Sequence, residues 1–156
     1  MATVGLEAGV HVYFALLAIL VSAALLSLVY KGAVNGKVFR GLAVATAVFL
    51  WLSWFTVIHT YTVAYAGDRT VLKGNPQTAI AHNFGMETKE HIFYTGLFLG
   101  TILPIVAYTV DPKSPGGRRL FMWMLVLLII GGFLMEGLGA WVSASAKQAW
   151  AAKAGG

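Results

Sequence analysis

Residues 51–66 read WLSWFTVIHTYTVAYA and set His59 deep within an apolar segment of membrane-spanning length. An imidazole there needs a partner, because hydrocarbon offers its ring nitrogens nothing to bond. Ionisable side chains inside membrane spans usually face the bundle interior or a water-filled cavity, where they mark substrate, ion or cofactor positions. The other apolar segments can be read by what each brings to the level of His59.

Of the 156 residues, 58% are hydrophobic and only 11% charged, against about 25% charged in an average soluble domain. The length suits one domain, and the composition is that of a membrane protein. The formal charge of +5 belongs to residues flanking the spans, where Lys and Arg set topology. No basic stripe with interleaved aromatics is present, so nucleic acid is not expected as a partner. Cysteine is absent, which excludes disulfides, thiolate metal sites, iron–sulfur clusters and covalently attached c-type haem. The first 30 residues hold no Lys or Arg, which argues against a cleavable signal peptide and predicts that the first segment is retained.

The chain reads as an all-α integral membrane four-helix bundle, a single membrane domain over residues 1–156. A span needs roughly 20 apolar residues to cross a hydrocarbon core about 30 Å thick. Four segments qualify, at about 9–30, 41–66, 91–110 and 120–146. In the link between the second and third, Asn75 and Pro76 suit an N-cap and first helical position and Gly85 suits a stop, predicting a short interfacial helix over 76–84. Pro104 predicts a bend in the third span. Six of the eleven basic residues, Lys31, Lys37, Arg40, Lys113, Arg118 and Arg119, crowd the two short connections. By the positive-inside rule those connections are cytoplasmic, and both termini lie on the outer side of the plasma membrane.

Depth can be counted from the basic ends. His11 lies 19 residues from Tyr30, His59 18 from Gly41, His91 19 from Val110 and Glu136 17 from Arg119. At about 1.5 Å per residue these positions fall roughly 25–29 Å above the basic ends, so each span supplies one ionisable group to a single layer. Glu7 precedes His11 by four residues and Glu87 precedes His91 by four, spacing that puts each carboxylate on its histidine's helix face as an orienting partner. His82 falls in the predicted interfacial helix, over the same layer. Separate interfacial histidines, each bonded to water or backbone, are the plainer reading of the same residues. Glu136 fits that reading least, because a carboxylate near a span centre costs roughly 2.5–3.5 kcal/mol.

Other features suit packing. Gly96 and Gly100 form a GxxxG in the third span, and Gly131, Gly132, Gly137 and Gly139 thin the fourth, permitting close approach of helices or of a flat cofactor. Trp141, Trp150, Tyr61 and Tyr65 on one side, with Tyr30, Tyr108 and Trp123 on the other, match interfacial aromatic belts. Trp51 and Trp54 lie deeper, against lipid or a macrocycle. No nucleophile elbow, P-loop, dinucleotide fingerprint or HExxH helix is present.

Imidazoles and carboxylates in a membrane bundle suit two cofactors. One is b-type haem, with axial ligands from His59, His91 and His11 and with Arg69, Lys73 or Lys89 beside its propionates. The other is a bare Cu, Zn or Fe ion on His11, His59, His91 and Glu136, with Glu7, His82 and Glu87 as alternative ligands. The layout of spans and histidines resembles a small four-helix membrane cytochrome b. It departs from the two-haem pattern, because no histidine lies near the basic ends of the spans. The resemblance implies a haem b subunit of a respiratory-type complex, moving electrons between quinol and an outer acceptor beside other subunits, with His59 an axial ligand paired with His91 or, second, His11. A non-haem metal protein or assembly factor, and a cofactor-free anchor subunit, are the other two readings.

Overall fold

A computed structural model describes residues 2–155, and side-chain surroundings from Leu6 onward. Every regular element among the described residues is helical. Helix α1, Ala2–Lys31, ends at Gly32, whose φ of 67° is the left-handed geometry that favours glycine. The amides of Gly32 and Ala33 bond back to the carbonyls of Val29 and Leu28, at 3.2 and 3.1 Å, a Schellman cap that satisfies two orphan carbonyls. Asn35 then caps α2, Gly36–His59, its side-chain oxygen accepting from the amides of Lys37 and Val38. The chain continues without a break through a π-helical segment, Thr60–Ala64, into α3, Tyr65–Gly74.

It breaks over residues 75–78 and resumes through a second π segment, Ala81–Met86, into α4, Glu87–Thr109. Ser114 starts the last helix, α5, Pro115–Gly155: its hydroxyl accepts from the Gly117 amide at 3.1 Å and its carbonyl from the Arg118 amide at 2.8 Å. Pro115 at the first position has no amide hydrogen to leave unpaired.

Four helices are long and apolar enough to cross a membrane. Around the bundle α1 packs on α2 and α5, and α4 packs on α2 and α5, so α1 and α4 face each other across one diagonal. At the end carrying the two short basic connections, Leu25, Val29, Phe39, Leu103, Phe121 and Leu125 form the core. Phe39 meets Phe121 edge-to-face there, ring centroids 4.9 Å apart. A second cluster at the opposite, terminal end joins Leu72, Ala81, Met86, Val142 and Ala146.

That second cluster explains where the helices depart from expectation. The continuous run Gly36–Gly74 has 39 residues and α5 has 41, lengths of about 60 Å against a hydrocarbon core of about 30 Å. The surplus turns of α3, the second π segment and α5 pack on one another at the terminal end of the bundle. The separate interfacial helix over 76–84 is therefore replaced by two helical extensions meeting at Asn75. Asn75 does cap the resumption, its side-chain oxygen accepting from the Gln77 amide at 3.0 Å. Gly85 stops nothing: a Cβ on it would lie 2.9 Å from the Trp141 ring, so it is glycine because α5 packs directly on it. Pro104 sits inside α4 without ending it.

Candidate functional site

His11 is 8% exposed. Its Nδ1 lies 2.8 Å from the Ser53 carbonyl oxygen and 2.8 Å from the Ser53 hydroxyl, while that hydroxyl donates to the His11 carbonyl at 3.1 Å. A carbonyl only accepts, and the hydroxyl's one hydrogen points at His11 O. Nδ1 therefore carries the ring hydrogen, and Nε2 of the neutral imidazole is left bare. The reciprocal bonds clasp α1 to α2.

His91 repeats the arrangement within one helix. Its side chain leans toward the N-terminus of α4, as helical side chains do, and Nδ1 donates to the Glu87 carbonyl at 2.7 Å. In the neutral ring Nε2 would again be the nitrogen without a hydrogen. His91 lines a cavity of about 370 Å³ between all four membrane helices, together with Ser53, Thr95, Gly96, Gly132 and Glu136. Ala15, Ala18, Ile19 and Ser22 carry the α1 wall, and His11 stands one turn before Ala15 on the same helical face. Gly132 lets the Ile19 side chain pack closely on α5, since a Cβ there would fall 2.7 Å from it.

Lys89 reaches α5 at Gly139, three residues on from the cavity residue Glu136. Its ammonium lies 3.1 Å from where a Cβ on Gly139 would be, so the missing side chain of Gly139 gives it room. No ion pair within 4 Å ties it down among the described residues.

His59 goes elsewhere. Its side chain is 60% exposed, and Nδ1 meets both carboxylate oxygens of Glu7 at 3.2 Å, while Thr60 donates its hydroxyl to the same carboxylate at 2.6 Å. Glu7 thus pairs across helices with His59 and does not orient His11, whose Nδ1 is already taken by Ser53. His82 is 3% exposed and sits in the second π segment. The Tyr65 phenol is 2.9 Å from its Nδ1, and its Nε2 has no hydrogen-bond partner, with the Glu87 carboxylate 4.0 Å away. With the phenol donating to Nδ1, Nε2 carries the hydrogen and faces that carboxylate. Glu87 accordingly holds His91 by its backbone oxygen and turns its carboxylate toward His82. Beside this pair, Tyr61 stacks on Tyr65 at 6.1 Å and donates to Glu90 at 2.5 Å.

The expected single layer resolves into separate groups: His11 with Ser53; His91 and Glu136 on the cavity, with Lys89 against Gly139; His59 with Glu7; and His82 with Tyr65 and Glu87. No three His, Asp or Glu side chains converge on one point among the described residues, so His11, His59, His91 and Glu136 do not form a ready four-ligand cage. Equal depth placed them at one level, but helical phase turned them to different faces. Ser53 and Thr60 were missed as partners because hydroxyls in a span commonly bond their own helix, as Thr56 and Thr62 do here. Tyr61 and Tyr65 read as belt aromatics, and their spacing of four was the available signal. Trp51 and Trp54 face α4: Trp51 donates to the Thr101 hydroxyl at 3.1 Å and Trp54 stacks on Phe93 at 6.5 Å. Among known proteins no family model, no curated sequence and no solved structure matches the chain.

Proposed function

We propose that the chain is a haem b-binding subunit of a membrane electron-transfer complex, exchanging electrons between quinol and an acceptor on the outer side. The observation that carries the reading is the matched state of His11 and His91. Both imidazoles donate Nδ1–H to a backbone carbonyl, which leaves Nε2 in the form that ligates iron and orients the ring. They stand on the diagonally opposed α1 and α4, and two axial ligands must approach one iron from opposite sides. The donor set fits two-point ligation better than a bare ion, which takes three or more ligands from one cluster.

The cavity volume of about 370 Å³ lies at the low end of the range for small-molecule sites, roughly 300–1,000 Å³. Lys89, set beside Gly139, is the cation for a propionate. When bound, the haem would supply one-electron chemistry; the chain's part is to hold it between two oriented imidazoles and to keep lipid and water off its faces. This reading makes His11 the partner of His91 and leaves His59 to its contact with Glu7.

One observation favours the cofactor-free anchor as a second reading: His91 lines the cavity but His11 is not among its lining residues. Reduced-minus-oxidised and pyridine haemochrome spectra of the detergent-solubilised protein separate the two. A low-spin b-type spectrum lost in His11→Ala and His91→Ala, and kept in His59→Ala, is the expected result. A colourless protein overturns the haem reading and leaves the anchor.

A further inference from the structure

At the basic end, the start of α5 carries a groove of about 650 Å³ whose lining includes Lys113, Arg118, Arg119, Met122, Trp123 and Val126. The positions follow helical spacing: Arg119 shares a face with Met122 and Trp123, three and four residues on, and with Val126 at seven. From Arg119 to Val126 the stripe descends about 10 Å along the axis. Cations therefore crown it and apolar side chains floor it, with Trp123 63% exposed.

The neighbouring charges are committed elsewhere. Arg40 donates to the Ala107 carbonyl at 3.2 Å and lies over the Tyr108 ring at 5.1 Å. The Asp111 carboxylate accepts from the Lys113 backbone amide at 2.9 Å. Arg118 donates to the Tyr30 carbonyl, which holds α5 against the end of α1 and fixes one guanidinium at the rim. Lys113 and Arg119 have no side-chain hydrogen bond or ion pair to another described residue, and no carboxylate lines the groove.

We propose that this groove is a binding site for one anionic phospholipid, its phosphate beneath Lys113, Arg118 and Arg119 and its first acyl methylenes along Met122, Trp123 and Val126. Charge complementarity selects the headgroup, since three cations meet no protein anion there. The apolar floor selects a lipid over a free phosphate, which would leave Met122, Trp123 and Val126 uncovered. The first turn of α5 adds its partial positive charge at the same place.

Native mass spectrometry of the full chain in detergent, titrated with phosphatidylglycerol or phosphatidylcholine, tests the site. The expected result is a saturable single phosphatidylglycerol adduct, untouched by excess glycerol phosphate. Lys113→Gln with Arg119→Gln should weaken it about thirtyfold, the product of the factors usual for two cations at an anionic membrane surface. Both side chains are exposed, so the variant should keep the wild-type melting temperature. Trp123→Ala, which leaves the charges intact, should also weaken the adduct. Equal retention of the two lipids, unsaturable adducts, undiminished binding in the double variant, or displacement by glycerol phosphate would each overturn the proposal.

Discussion

Replacing Glu136 by leucine asks whether the carboxylate and the Lys89 ammonium depend on each other inside the bundle. At 4 Å two unit charges interact by about 4 kcal/mol at an effective dielectric constant near 20, and by about 1 kcal/mol in water. Lys89 and Glu136 are not within 4 Å of each other, and both side chains are only partly buried, so screening lowers the first figure. A coupling of about 1–2 kcal/mol follows. Glu136→Leu alone removes a carboxylate that costs roughly 2.5–3.5 kcal/mol near a span centre, but it strands the ammonium. Lys89→Met strands the carboxylate in turn. The double variant strands neither, and should be more stable than the two single losses added together. Unfolding of all four proteins in detergent gives the coupling as the departure from additivity. A departure below about 0.5 kcal/mol is within the scatter of independent sites, and it would refute the picture of Lys89 and Glu136 as one electrostatic unit.

Three further outcomes are expected. Single cysteines at positions 37 and 114 should stay unlabelled by an impermeant thiol reagent in intact cells while one at position 75 reacts; the reverse pattern would invert the topology. Gly85→Val should destabilise by about 1–3 kcal/mol of overpacking against Trp141, a loss removed in a Trp141→Ala background, whereas a glycine acting as a helix stop would show no dependence on residue 141. Ser53→Ala should cost about 1 kcal/mol, one hydrogen bond, while leaving the His11 Nδ1 bond to the residue 53 carbonyl in place. A loss of His11-dependent absorbance in that variant would show that the hydroxyl, and not the carbonyl, orients the ring.

The helical class and the four long apolar helices were legible in the sequence because each follows from local counting. Twenty apolar residues must cross as a helix, since lipid satisfies no backbone polar group, and rise per residue converts position to depth. The Asn75 cap follows from capping chemistry within a few residues. Residue spacing, however, sets depth and the face two residues share on one helix, and does not say which neighbour that face meets. Whether His59 turns toward His91 or toward Glu7 depends on which helices are neighbours, and that order, with α1 opposite α4, is a property of the packed bundle. The same holds for Gly85, which looked like a stop until α5 was placed against it, and for Ser53, whose partner lies 42 residues away. The helical extensions at the terminal end also waited on tertiary structure. Their sequences are only weakly apolar, and they persist as helix because Leu72, Met86 and Val142 bury one another where no single segment could.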